Sequence, residues 1–156
     1  SLRDRRRPEP VYKGLLRGVE SLLAETGAEP PIALLGFSMG GHWALWLAAR
    51  EDVPACATVS YYAARASDFS KSRSAFQFHF AEQDPFVSAS ARKRSARALA
   101  DAGRTAETHE YPGTHHWFAE SDRPEFEPAA AGLAWERTLQ FLHQHLTARK
   151  DGIQWR

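Results

Sequence analysis

The sharpest change of pattern along the chain falls between residues 31 and 50. Ile32-Ala33-Leu34-Leu35 is an unbroken apolar run bounded by Pro31 and Gly36. A run this short between breakers predicts a strand buried on both faces of a parallel sheet. Beyond Gly41 the sequence turns rich in Ala, Leu and Trp, which predicts a buried helix ending near Arg50-Glu51-Asp52. Upstream, Leu15, Leu16, Val19, Leu22 and Leu23 recur at helical spacing within Val11 to Thr26, with Glu20 and Glu25 on the other face. Gly27 suits the end of that helix, and Pro30-Pro31 forbids its continuation. Downstream, Ala55 to Tyr61 reads as a second buried strand in which Cys56 is a small core residue. Arg65 to Ser74 is polar and predicts a surface loop. Ala75 to Phe80 predicts a third strand, with Phe76, Phe78 and Phe80 on one face and a packed or hydrogen-bonded His79 on the other. Glu82 to Pro85 makes a turn, Ser88 to Ala102 a helix closed by Gly103, and Thr105 to Tyr111 a polar fourth strand. Pro112 to Phe118 reads as a loop, and a last helix runs from about Ala129 to Leu146. Residues 1–10 read as an irregular lead-in and 149–156 as a polar tail.

Strands alternating with helices in this order predict an α/β fold: about four mostly parallel strands, helices on both faces, one domain over residues 1–156. With 156 residues, 43% of them apolar, the chain can bury a real core. A net charge of +1 excludes the strongly basic character of a nucleic-acid binder; the cluster Arg3, Arg5, Arg6, Arg7 is read as a solvated tail. Cys56 stands alone, so there is no internal disulfide, and no Cys/His pair has zinc spacing; neither metal nor organic cofactor is expected. No apolar run is long enough to span a membrane. The charged start has no signal-peptide pattern, and the expected location is the cytoplasm. The chain opens on Ser1 rather than Met, which leads us to expect a piece of a longer protein.

Between the first strand and its helix lies Gly36-Phe37-Ser38-Met39-Gly40, a G-x-S-x-G sequence in the strand-turn-helix setting that a nucleophile elbow requires. A sharp turn there lifts the Ser38 hydroxyl above the sheet in a strained conformation, and both Gly36 and Gly40 are expected to be needed where a side chain would collide with backbone. The N–H of Met39, at the start of the helix, is placed to stabilise an oxyanion. A serine nucleophile needs a base, and the base needs a carboxylate. In this architecture they follow in the order Ser, acid, His. Asp84 and Glu82 compete for the acid after the third strand; Asp84, farther into the turn and followed by Pro85, is the better candidate. His115 and His116 compete for the base after the fourth, and spacing does not choose between them. Tyr61-Tyr62 falls at the carboxyl end of its strand, so one of the two tyrosines is a candidate pocket residue, Tyr61 being taken as that one, with packing as the alternative role; Phe37 beside the serine is a further candidate.

Three stretches together resemble the dienelactone hydrolase family of α/β-hydrolases: Gly36-Phe37-Ser38-Met39-Gly40-Gly41, Ala81-Glu82-Gln83-Asp84-Pro85, and Tyr111-Pro112-Gly113-Thr114-His115-His116-Trp117-Phe118. The last is similar to the family's Tyr-Pro-Gly-x-x-His-x-Phe. That resemblance implies His116 as the catalytic imidazole and Trp117 and Phe118 as aromatic pocket residues. It implies a small-molecule carboxylic ester or lactone as substrate, with no nucleic-acid or membrane partner. Two departures follow. Founding members of the family use a cysteine where this chain has Ser38. The family also places several strands and a second oxyanion donor before the elbow, where this chain has room for one helix. An N-terminally truncated α/β-hydrolase fold is therefore expected, with Ile32 to Leu35 at a sheet edge that invites self-association and a rate lowered on the order of 100- to 1,000-fold by the missing donor. The alternative expectation is a non-catalytic scaffold that binds a partner.

Overall fold

A computed structural model describes residues 10–27 and 30–147. The chain divides into two compact units, 1–30 and 31–156. The first contains helix α1, Pro10–Thr26, which Gly27 ends in the left-handed region at φ 61°. The expected lead-in, apart from Pro10, and the expected polar tail lie outside the described residues.

The second unit is built on β1 (Ile32–Phe37), α2 (Met39–Ala48), β2 (Ala55–Tyr61), β3 (Ala75–Gln83), α3 (Ala89–Asp101), β4 (Ala106–His115) and α4 (Pro128–Thr147). The four strands form one parallel sheet in the order β1-β2-β3-β4, so β1 and β4 are its edges. The pleat sorts the side chains. Ala57, Val59, Tyr61 and Ala81 turn to the face where Ala134 and Phe141 of α4 complete a core. On the opposite face Gly36 and Gly41 bring β1 and α2 into close backbone contact. The alternation Phe76, Phe78, Phe80 runs along β3, and the rings of Phe78 and Phe80 stack 5.4 Å apart.

Two expectations about loops change. Residues 65–74 form no regular element, but Phe69 is fully buried and meets the edge of Phe76 at 5.2 Å. The segment is a core-covering loop because its one large apolar residue needs burial. The fourth strand is longer than expected: β4 continues through Pro112-Gly113 to His115, which pairs with Gln83 across an irregularity between Ala81 and Gln83. Proline is tolerated there because β4 is an edge strand, where a missing N–H leaves no neighbour without a donor.

Beneath the α4 side of the sheet runs a buried polar chain. The Nε2 of His79 lies 3.0 Å from Gln77 Oε1 and 3.0 Å from Thr138 Oγ1, and its Nδ1 lies 2.7 Å from the Tyr111 hydroxyl. Gln77 donates its amide to Glu107 and to the Arg137 carbonyl, so its oxygen faces His79 and accepts from Nε2–H. His79 Nδ1 is then the acceptor for Tyr111. Burial, then repulsion from His109 and Arg137, lowers the His79 pKa to about 3. The unfolded chain takes up a proton near pH 6.5 that the folded chain refuses until about pH 3. Stability is therefore expected to fall as the pH drops through that window, by about 1.4 kcal/mol per pH unit from this group. Urea titrations at several pH values should show a slope flatter by about one proton in His79→Gln; an unchanged slope would remove His79 from the account.

Candidate active site

β1 delivers the chain into a turn whose geometry is fixed by backbone contacts. Ser38 sits at φ 50°, ψ −119°, a strained conformation for a residue with a Cβ. Its N–H donates to the Tyr61 carbonyl at 3.0 Å, and its own carbonyl accepts from His42 N–H at 3.1 Å, opening α2. The N–H of Met39, at the first position of α2, belongs to the helix-start donors that have no acceptor within the helix. The glycine requirement differs from the expected one. A Cβ on Gly36 would fall 2.3 Å from the Gly40 carbonyl oxygen, and one on Gly41 would fall 2.8 Å from Ser60 Oγ, whereas Gly40 has nothing within 4 Å. Gly40 points outward from the first turn of α2, and it is Gly41 that faces the sheet.

From this turn the Ser38 Oγ reaches His116 Nε2 at 2.8 Å. His116 Nδ1 in turn lies 2.8 Å from Asp84 Oδ2, both side chains being buried. The other oxygen of Asp84 accepts from the N–H groups of Phe86 at 2.8 Å and Val87 at 3.0 Å, which locks the carboxylate plane. Burial by itself would raise the Asp84 pKa, but the hydrogen bond from His116 and the two backbone N–H groups outweigh it and hold the carboxyl below its usual value. An ionised carboxylate can only accept, so His116 Nδ1 carries the proton and Nε2 is free to accept from the Ser38 hydroxyl. The two competing residues lie elsewhere. His115, the exposed last residue of β4, makes its strand pairing with Gln83. Glu82 accepts from the Gly113 N–H at 2.8 Å and ties the ends of β3 and β4 together.

The candidate pocket residues divide. Phe37 is 36% exposed and stacks on Tyr61 at 4.5 Å, and Trp117 is half-buried beside His116 with the Arg123 guanidinium 4.8 Å over its ring. Tyr61 and Phe118, in contrast, are fully buried and present no surface to a substrate. The pleat turns Tyr61 to the α4 side, where its hydroxyl meets Thr138 Oγ1 at 2.7 Å, and Phe118 packs among Tyr61, Tyr62 and Tyr111. Both are core residues. Tyr62, the other tyrosine of the pair, and Phe86, which sequence reasoning did not single out, take up the positions at the His116 ring. Phe86, 65% exposed, meets the imidazole edge-on at 4.8 Å, and Tyr62, fully buried, lies 4.8 Å from it on a ring tilted by 52°. The signal for Phe86 was its place two residues after the acid; for Tyr62 it was its place just past the end of β2.

Among the described residues no group of three or more His, Cys, Asp or Glu side chains could hold a metal ion, and no helix is long and apolar enough to cross a membrane. Two cavities, of about 230 and 430 Å³, lie against the α3 side of β3 and β4 and between the end of β4 and α4; neither is lined by Ser38, Asp84 or His116.

The dienelactone hydrolase family matches residues 2–146. A protein of Azospirillum brasilense named "Putative carboxymethylenebutenolidase" is 37% identical over 115 residues, which is 69% of this chain and 47% of that protein. The chain spans about half the length of the curated relatives it matches. Among solved structures, a Klebsiella pneumoniae protein titled "Putative Dienelactone Hydrolase" superposes with a TM-score of 0.71 at 23% identity, over 83% of this chain and 59% of that one. Esterase PE8 does so with a TM-score of 0.64 at 21% identity, over 82% and 59%.

Proposed function

Because the chain belongs to the dienelactone hydrolase family, we propose that it hydrolyses a carboxylic ester or lactone through an acyl-enzyme on Ser38. The observation that carries this reading is the unbroken hydrogen-bonded line from Ser38 through His116 to Asp84, with both links at 2.8 Å. Ser38 Oγ attacks the carbonyl carbon while His116 Nε2 takes its proton, and the ionised Asp84 stabilises the imidazolium that forms. The negative charge that develops on the carbonyl oxygen faces the Met39 N–H at the start of α2. Collapse of the tetrahedral adduct expels the alkoxide, which His116 protonates; from a lactone that alkoxide stays on the acyl chain. A water then repeats the sequence at the acyl carbonyl and frees the acid. Phe86 and Trp117, 5.4 Å apart and both against the His116 ring, with the exposed Met39 next to Ser38, give this side of the site an apolar, largely aromatic character, which favours an ester whose substituents are apolar or unsaturated.

The test is turnover of a p-nitrophenyl ester together with labelling by a serine-directed phosphonate, both expected to be lost in Ser38→Ala. Absence of both in the unaltered chain would favour a scaffold that binds without turning over. We further propose that copies associate through β1, an uncharged edge strand on which Leu35 and Phe37 are exposed. Sedimentation velocity should show concentration-dependent association that Leu35→Lys weakens, and a monomer at every concentration would dismiss the proposal.

A further inference from the structure

The residues other than glycine with a left-handed φ are, among the described residues, Ser38 at 50°, Tyr62 at 38° and Trp117 at 72°. All three surround His116. For a bulky residue this conformation is costly, and surrounding contacts must enforce it. At Tyr62 the enforcing contacts are plain. Its N–H donates to the His79 carbonyl at 2.7 Å, and the twist that this imposes turns the ring away from the direction of Tyr61 and onto the imidazole of His116. The hydroxyl then donates to Glu120 Oε1 at 2.9 Å.

Glu120 closes the turn that carries the histidine. Its N–H donates to the Trp117 carbonyl at 2.9 Å, two residues on from the bond that Phe118 N–H donates to the His115 carbonyl at 3.1 Å. Its second carboxylate oxygen faces Arg123 Nε at 3.7 Å, and the Arg123 guanidinium lies over Trp117. Trp117 meets His116 edge-on at 4.9 Å. The contacts therefore close a ring from Tyr62 through Glu120, Arg123 and Trp117 to His116 and back to Tyr62. A phenylalanine would fill the same volume; the hydroxyl adds a charge-assisted bond between the end of β2 and the turn after β4. Burial, then the bond to Glu120, pushes the phenol pKa up, so this donor keeps its proton wherever the imidazole works.

We propose that Tyr62 and Glu120 are positioning residues: their bond latches the turn 115–120 so that the His116 imidazole stays in line between Ser38 and Asp84. The inference rests on the reading of Ser38, His116 and Asp84 as a catalytic triad. Neither residue of the latch touches the reacting atoms, and both act through His116.

Four variants test it in ester turnover. Tyr62→Phe keeps the ring and drops the bond, and is expected to lower kcat by about ten- to a hundred-fold with KM changed less than about two-fold, the size expected for one hydrogen bond to a charged group. Glu120→Ala should do the same. Glu120→Gln keeps an acceptor and should recover most of the loss. The double variant Tyr62→Phe/Glu120→Ala should be no worse than the poorer single one, because both remove the same bond. The low-field proton resonance of His116 Nδ1–H should broaden in Tyr62→Phe and stay sharp in Glu120→Gln. Wild-type kcat in Tyr62→Phe, or fully additive losses in the double variant, would overturn the latch while leaving the triad standing. Undiminished turnover in Ser38→Ala would overturn the triad instead, and the proton resonance, which needs no turnover, still decides the latch: a sharp signal in Tyr62→Phe rejects it.

Discussion

Ser38→Ala is expected to lower ester turnover by about a million-fold and Asp84→Asn by about ten-thousand-fold, the scale of the corresponding losses in serine proteases. The serine loss is that of the nucleophile. The aspartate loss has a cause visible in the hydrogen bonds. Asp84 Oδ1 accepts from the Phe86 and Val87 N–H groups, and Oδ2 faces His116 Nδ1. An asparagine must keep its carbonyl oxygen toward the two backbone donors, because the opposite orientation would set N–H against N–H. Its NH₂ then points at His116 Nδ1 and donates, so the imidazole is forced into the tautomer with its proton on Nε2, aimed at Ser38 Oγ. The base is occupied before the reaction starts. Volume and hydrogen-bond count barely change, so the urea midpoint should stay close to that of the parent chain at neutral pH. Glu82→Gln retains an acceptor for the Gly113 N–H and should turn over nearly as the parent does. The converse pattern, with Glu82→Gln inactive and Asp84→Asn unaffected, would refute the assignment of the acid.

How much of this was legible in the sequence depends on what each signal encodes. Apolar runs between breakers mark parallel strands, and Ile32, Ala55 and Ala75 do begin β1, β2 and β3, although β1, at the sheet edge, is not buried on both faces and leaves Leu35 and Phe37 exposed. Gly103 ends α3 at φ 66° as expected, and Ser88, the expected first residue of the helix, is its cap, accepting from Ala91 N–H. The family resemblance is likewise shown by the match over residues 2–146. What failed was information that exists only in three dimensions. Pro112-Gly113 reads as a loop until β4 is known to be an edge. Tyr61 and Tyr62 are indistinguishable by type, and only the left-handed turn at Tyr62 sends one ring to the core beneath the sheet and the other to the imidazole. Phe69 is hidden in a polar stretch because one buried ring leaves no periodicity. The G-x-S-x-G pattern names two glycines, and packing chooses a different pair, since the residue of α2 that faces β2 is set by the phase of the helix and not by distance from the serine.

That phase leads to the expectation with the largest consequence for folding. Gly36→Ala should destabilise the chain by about 4 kcal/mol or more, a large share of the stability of an ordinary domain. The new Cβ would lie 2.3 Å from the Gly40 carbonyl oxygen, 2.4 Å from its carbon and 2.5 Å from Gly41 N. All three are backbone atoms in the first turn of α2, so no rotamer change relieves the clash. The helix start would have to move away from β1, carrying with it Ser38 and the Met39 N–H. Gly41→Ala meets Ser60 Oγ at 2.8 Å, Ala63 Cβ at 2.9 Å and the Gly36 carbonyl oxygen at 3.0 Å. These contacts are longer than those at Gly36 and only one is to backbone, although Ser60 is held by its bond to the Ala63 carbonyl, and the expected loss is about 1–3 kcal/mol. Gly40→Ala has open space around it on a helix and should be neutral or stabilising by up to about 1 kcal/mol. Urea unfolding of the three variants should rank them in that order. A Gly36→Ala chain with the parent's midpoint would mean that the strand-to-helix turn yields more readily than its backbone contacts allow, and the strain assigned to Ser38 would then lose its structural support.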